Sequence, residues 1–296
     1  MTVLIGASPR NTNIVKELIE GLAGIGARGL GVKLGQYWQT APRAKLEAAS
    51  GKASHSLLVA DSDDASSSWL AYLVGLSRGR ERPIGLFRID PAWQPQAWLA
   101  GIPVFDDIQE ALGYYAAEKG EWEIAEARRL ARACLLELGI SWHAESFAQC
   151  VREGDFKAVD LFIASGYPPD VRDRNGVPMV CLAARHKHQG IVEMLLDRGG
   201  AIDVQSDDRG FSPLMDAAQN GDRSLVTYLM QRGAEPNLVS KDGQSALVIV
   251  VGRNDVETAK LLLENGADPD QADKLGLSAR KYAKLFHNAE MEALFS

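Results

Sequence analysis

Four polar residues near the start of the chain stand where they could handle a nucleotide. Ser8 and Arg10 follow the apolar run VLIGAS (3–8), and Asp61 and Asp63 lie in the acidic exit of a second run, HSLLVADSDD (55–64). If both runs are parallel strands, these side chains share the carboxyl edge of a sheet, where open α/β sheets bind ligands. Ser8 and Arg10, with Asn11, Thr12 and Asn13 where a helix would begin, could hold a phosphate, and Asp61, Asp63 and Asp64 could supply a carboxylate. Other reactive residues do not converge. Cys134, Cys150 and Cys181 are odd in number and scattered, each inside helical text. They make neither a disulfide framework nor a zinc site, and a reducing, cytoplasmic compartment follows as the default. His186 and His188 are two apart, so on one helix they would diverge, and no cysteine or carboxylate completes a ligand set. A helix end and turn is expected there, and no metal.

The elements that would position the first group alternate along residues 1–117. VLIGAS (3–8), HSLLVADSDD (55–64), PIGLFRID (83–90) and IPVFDD (102–107) read as buried strands. IVKELIEGLAG, with Ile14, Leu18, Ile19 and Leu22 at helical spacing, SSWLAYLVGLSRG, capped by Ser66 or Ser67, and IQEALGYYA read as helices. Uninterrupted apolar strands alternating with helices imply a small parallel sheet covered on both faces, a flavodoxin-like α/β domain.

Three families share this outline. The stretch SHSLLVADSDDASSSWLAYLVGLSRGRERPIGLFRID resembles the central part of a Toll/interleukin receptor (TIR) domain, with Ser68-Trp69 on its S-W pair. It is also similar to nucleoside deoxyribosyltransferases. In both families a glutamate contacts the ribose at the glycosidic bond that breaks. Counting four on from Trp69, or two back from Gly75, puts Leu73 in that place. Leucine can neither stabilise an oxocarbenium-like centre nor act as a nucleophile. The resemblance therefore implies a catalytically silent relative with no catalytic residue. The alternative is an NAD- or nucleoside-cleaving enzyme whose carboxylate comes from Asp61, Asp63 or Asp64. GASPRNTNIV also resembles the FMN phosphate loop of flavodoxin-like reductases, although no aromatic loop follows to hold the ring. No cofactor is expected; NAD or FMN is what the alternatives imply.

The C-terminal half repeats. Glycines recur at Gly176, Gly210, Gly243 and Gly276, and again at Gly166, Gly199, Gly233 and Gly266, at spacings of 33 or 34. The one extra residue is expected at RGGAID. Between the glycines lies a segment with small residues (Ala183, Ala184, Ala217, Ala218) and then an apolar segment at i, i+3, i+4 spacing (Ile191, Val192, Leu195, Leu196). That is helix, turn, helix and long turn, a unit unable to bury its own apolar face without stacking on neighbours.

These units resemble ankyrin repeats: Ser212-Pro213-Leu214 stands for T-P-L, and Asn265-Gly266-Ala267-Asp268 matches the closing motif. The resemblance implies an α-solenoid over 141–296, about four repeats plus a truncated C-terminal cap, with a concave face that binds another protein. Implied contacts are the turn tips Asp173, Arg174, Asn175, Asp207, Asp208, Arg209, Lys241, Asp242, Asp273 and Lys274. Others lie near the first helices: Arg185, His186, Gln219, Asn220, Arg253 and Asn254. The consensus His is Cys181, Met215 or Val248, so its bond between repeats is expected to be missing. WEIAEARRLARACLLEL (122–138) reads as a capping helix, with the boundary near Glu118 and 118–140 as linker and cap. At the far end Arg280, Lys281, Lys284, Asn288 and Glu290 would cover the stack.

Composition sets the remaining limits. A net charge of −7 disfavours a nucleic-acid partner, and the basic run SRGRERP (77–83) reads as a solvated loop. MTVLIGASPRNTN has no basic region before its apolar run and reads as a strand, not a targeting segment. No stretch is apolar enough for a membrane span. The whole reads as a cytoplasmic adaptor, with self-association through the N-terminal domain as a further expectation.

Overall fold

A computed structural model describes residues 1–34, 43–64 and 67–295. The chain divides into two compact units, Met1–Glu126 and Ala127–Ser296. In the first, strands β1 (Thr2–Ala7), β2 (Arg28–Lys33), β3 (His55–Ala60), β4 (Ile84–Arg88) and β5 (Val104–Phe105) form one parallel sheet in the order β2-β1-β3-β4-β5. Side chains alternate across the strands. Val3, Ile5, Leu57, Val59 and Phe87 meet Leu18 and Leu22 of α1 (Thr12–Gly24) and Leu112 and Tyr115 of α4 (Ile108–Glu137). Leu4, Leu58, Ala60 and Leu86 meet Leu46 of α2 (Arg43–Lys52) and Trp69, Leu70, Leu73 and Val74 of α3 (Ser68–Arg78). Both faces are covered, so the strands read as continuous apolar text.

Three elements depart from the sequence reading, α2 among them, which the sequence does not announce. β2, RGLGVK, is a fifth strand; its two glycines hide the pattern, but a Cβ at Gly29 would stand 2.9 Å from Ile19, so they let α1 lie close on the edge strand. The helices expected as IQEALGYYA and 122–138 are one helix, α4, and the boundary between units falls within it, after Glu126. Ser67 stands at the N-cap of α3 without a side-chain cap bond; Ser66, the other expected cap, lies outside the described residues. The arginines of SRGRERP are structural ties, not a solvated loop. Arg78 donates to the carbonyls of Trp98 and Ala100, Arg80 to Ser50 Oγ, and Arg82 to the Ser50 carbonyl near the end of α2.

In the second unit five helix pairs stack among the described residues: α5 (Ala144–Glu153) with α6 (Phe156–Ala164), α7 (Met179–Arg185) with α8 (Gln189–Asp197), α9 (Pro213–Asn220) with α10 (Arg223–Gln231), α11 (Ala246–Gly252) with α12 (Val256–Glu264), and α13 (Ala279–Phe286) with α14 (Ala289–Ala293). One apolar core runs through them, and Ala183, Ala184, Ala217 and Ala218 let the first helices approach. Caps recur with the repeat: Ser212, Ser245 and Ser278 accept from Met215, Val248 and Lys281 N–H, and Asp155, Asp222 and Asp255 start the second helices alike. At the N-terminal end Leu135 of α4 joins the core beside Phe147 and Phe162. Arg132 lies 4.0 Å over the Trp142 ring, whose Nε1 donates to Ser165 Oγ. At the other end the expected polar cover also exposes apolar Leu285 and Phe286.

The extra residue lies in a turn tip and not at RGGAID. Gly200 N–H bonds the Leu195 carbonyl just as Ala234 N–H bonds that of Leu229, so nothing is inserted there. The tips close with Gly176 N–H on Asp173 O, Gly243 on Ser240 and Gly276 on Asp273, three residues apart, but with Gly210 on Ser206, four apart.

Successive tips are joined by main-chain bonds: Asp207 N–H to Gly176 O, Lys241 to Arg209 O, and Lys274 to Asp242 O. Gly243 serves this seam doubly. Its φ is +78°, and a Cβ would stand 2.9 Å from the Lys274 nitrogen. Gly243→Ala is expected to destabilise the array by on the order of 2 kcal/mol, from the left-handed backbone and the crowded seam together. Urea denaturation followed by helical circular dichroism measures it; an unchanged midpoint would refute the close approach.

Candidate functional site

The tips and the ends of the first helices form the edge of the array that sequence analysis singled out. At the base of each tip one side chain organises the turn. Asp173 Oδ1 accepts from the Asn175 and Val177 N–H groups at 2.9 Å, and Asp273 does the same for Leu275 and Leu277. Ser240 accepts from Asp242 and Gln244, and Ser206 from Phe211. Asp173 also takes Arg152 at 2.7 Å, and Asp273 takes the Tyr282 hydroxyl at 2.7 Å. Both carboxylates are buried and engaged inside the array. Burial works to raise the Asp273 carboxyl, but the Tyr282 hydroxyl and the backbone donors together hold it below its ordinary value.

The longer second tip builds a charged cluster. Arg185, at the end of α7, donates through Nη1 and Nη2 to Asp208 at 2.7 and 2.9 Å, through Nε to Asp216 at 3.0 Å, and through Nη2 to Ser206 Oγ at 3.0 Å. Arg209 reaches the same Asp216 at 2.8 Å and lies 4.3 Å over the Phe211 ring. Asp216 is 1 % exposed. Burial pushes its carboxyl up to about 6, against the pull of the two guanidinium groups. The Arg185 bonds hold Asp208 well below the carboxylate range. Asp216 was not foreseen as a site residue; an acid in the core-facing text PLMDAA was the available signal.

The other expected contacts divide between structural and exposed roles. Asn220 donates to the Ala184 and Arg185 carbonyls at 3.0 and 2.8 Å, tying one repeat to the one before. Arg253 donates to the Gln219 carbonyl at 2.7 Å, and Lys241 Nζ to that of Asp207. Asp207 pairs with Arg172 at 3.1 Å. Asn254, left-handed at φ 61°, accepts from Asn288. Arg174, Asn175, His186, the Gln219 side chain, Asp242 and Lys274 are exposed. Leu275, 78 % exposed beside Lys274, joins them; it is apolar where Asn175 and Asp242 stand in sister tips.

One sequence reading changes and one is met. The bond between repeats expected to be missing at Cys181 is made by its thiol, which donates to Val204 and Phe211 carbonyls at 3.4 and 3.5 Å. His186 and His188 stand at the expected helix end and turn: the helix ends at Arg185, Lys187 turns left-handed at φ 60°, and the rings lie parallel with centroids 6.2 Å apart. His188 Nε2 contacts the Arg152 carbonyl at 3.0 Å. Among the described residues no group of three or more potential ligands gathers to hold a metal.

In the first unit, the carboxyl edge brings the four named residues near one another. Arg10 Nη1 donates to Asp63 Oδ2 at 2.8 Å and Nη2 lies 3.9 Å from Asp64; Asp61 Oδ1 accepts the Asp63 and Asp64 N–H groups, and Ser8 Oγ accepts from Arg10 N. Burial, with the Asp61 charge adding to it, raises the Asp64 carboxyl above its ordinary value. The guanidinium that would meet a phosphate is thus matched by carboxylates. Leu73 is 0 % exposed, and its Cδ2 would stand 2.5 Å from a Cβ at Gly6 of β1. The glycine lets the leucine lie directly on the strand, leaving its side chain no access to solvent.

Comparison with known proteins bears on the second unit. A family model described as Ankyrin repeats (3 copies) matches residues 147–240 and 214–292. The chain is 39 % identical over 175 residues, 59 % of each chain, to an ankyrin repeat-containing protein of Treponema pallidum. It is 34 % identical over 119 residues to Protein HOS4 of Saccharomyces cerevisiae, 40 % of this chain and 10 % of that one. It is 31 % identical over 125 residues to the B-cell lymphoma 3 protein homolog of Mus musculus, 41 % of this chain and 28 % of that one. The matches therefore span less than two thirds of each relative.

Proposed function

From the premise that residues 147–292 are ankyrin repeats, we infer that this chain is an interaction protein, an adaptor whose tips and first-helix ends hold another protein. The observation that carries this reading is the seamed row of tips: main-chain bonds fix it while exposed, variable side chains project from it. A site preordered in this way loses little freedom on binding.

The test uses the full chain as bait. A partner held by the wild type and lost with Gln219→Ala/Lys274→Glu, at unchanged melting temperature, is expected. No protein retained above a heat-unfolded control would refute the reading.

For the first unit we infer a TIR-like, flavodoxin-like domain that is catalytically silent and serves association with like domains. The strand order 2-1-3-4-5 supports the fold. Leu73, sealed against Gly6 where a glutamate would do the chemistry, supports the silence. Three cysteines with free thiols support a reducing, cytoplasmic setting. The rival, cleavage of NAD or a nucleoside, predicts release of nicotinamide or free base that Asp61→Asn or Asp63→Asn abolishes. FMN binding predicts a yellow protein. Incubation with NAD and deoxynucleosides is expected to give neither product; either product, lost in those variants, would overturn the silent reading.

A further inference from the structure

We propose that the row of tips and first-helix ends receives an acidic segment of the partner, an extended peptide carrying a carboxylate about every third residue. The proposal deepens the protein-binding reading and rests on it.

Arginines on both sides of the array are paired with carboxylates, but the tip side also keeps exposed cations that are not. On the second helices arginines are matched by carboxylates of adjacent repeats: Arg198 with Asp160 at 3.2 Å, Arg232 with Asp197 at 2.8 Å, Arg223 with Glu257 at 3.1 Å. At the tips and first-helix ends Arg152, Arg172, Arg185 and Arg209 are matched by carboxylates as well, but two further cations there have only neutral partners. Arg253 and Lys241 donate to the Gln219 and Asp207 carbonyls, which satisfies a donor and leaves the charge uncompensated. Lys187 and Lys274 are exposed and, among the described residues, enter no ion pair; Arg174 is exposed too, with Glu145 near enough to feel its charge. The tip carboxylates do not offset this row. Asp173 and Asp273 turn inward, Asp207 and Asp208 are matched by Arg172 and Arg185, and Asp242 alone among the described tip acids is left exposed and unmatched.

The spacing follows from the stack. Packed helices lie about 8–10 Å apart, and an extended chain advances about 3.3 Å per residue. Cations one repeat apart therefore meet every third residue of a peptide laid along the row. A chain of net charge −7 repels polyanions at long range, which favours a short acidic segment over nucleic acid.

The test is fluorescence anisotropy with the full chain and three labelled probes: a twelve-residue peptide of Glu-Ser-Gly repeats, its Gln-Ser-Gly counterpart, and a twelve-nucleotide thymidine strand. The acidic peptide is expected to bind, to weaken as salt rises, and to lose at least tenfold in affinity with Lys241→Glu/Lys274→Glu. The corresponding double alanine variant should lose less. Both lysines are exposed, and only Lys241 gives up a bond, to the Asp207 carbonyl, so the melting temperature should fall by no more than about 5 °C. Absence of acidic-peptide binding, equal binding by the charge-reversed variant, equal binding of the Gln peptide, or tighter binding of the thymidine strand would each overturn the proposal. A chain that still captures a protein partner but ignores the acidic peptide would sink this inference alone.

Discussion

Arg185→Ala is expected to destabilise the array by about 3–5 kcal/mol, the cost of leaving a buried charge without its partner. Arg185 meets Asp208, Asp216 and Ser206 at once, and Asp216 is 1 % exposed. Removing the guanidinium leaves the Asp216 carboxylate with Arg209 and pushes its carboxyl above the value of about 6 that burial already imposes. The sign with pH follows. In the wild type Asp216 binds its proton more tightly folded than unfolded, where an Asp has a pKa of about 3.9. This group's contribution to stability therefore falls as pH rises from about 4 to about 6. In the variant the window extends higher, so the loss should be larger at pH 7.5 than at pH 5.5. Denaturant melts at the two pH values measure this. A loss under 1 kcal/mol at pH 7.5, or a larger loss at pH 5.5, would refute the account. Arg185→Ala/Asp216→Asn should recover part of the loss, because the two sites are in contact and not additive.

Leu73→Glu is expected to unfold the first unit at neutral pH and to release no nicotinamide from NAD. Leu73 is 0 % exposed and lies on the backbone of β1 at Gly6. Leu73→Ala should cost about 2–5 kcal/mol through the cavity it leaves. A glutamate adds an unmatched buried carboxyl, which would stay protonated and raise the cost further. Since its pKa is raised in the folded state, the variant should be more stable at pH 5 than at pH 8. Calorimetry and nicotinamide release test both halves. A variant that melts with the wild type at pH 8 and cleaves NAD would show that only the missing carboxylate silences this domain.

The repeats were legible because one backbone need recurs in each unit. Glycines at fixed spacing mark turns, and Ser212, Ser245 and Ser278 cap at the same place. Four strands were legible because both sheet faces are buried. β2 was not, since Gly29 and Gly31 replace the β-branched residues that signal a strand. α2 was not, since Leu46 is its one large buried apolar side chain. The continuity of α4 was hidden by Gly120, which costs a helix about 1 kcal/mol but does not end it. Of the site, the row of tips was legible, but not which acids turn inward. Asp173 and Asp273 occupy the slot where Ser206 and Ser240 do the same work. That exchange of Asp for Ser was the overlooked sign of a side chain bonding its own turn. The Arg185 cluster was invisible because it depends on the longer second tip, whose extra residue was placed at the wrong glycine.

The seam between tips is made of peptide groups, which every amino acid carries alike. What the row recognises can therefore be rewritten letter by letter while the scaffold underneath keeps the same joinery. In such an architecture, ancestry survives in the glycines and caps, and the vocabulary of binding drifts freely over them.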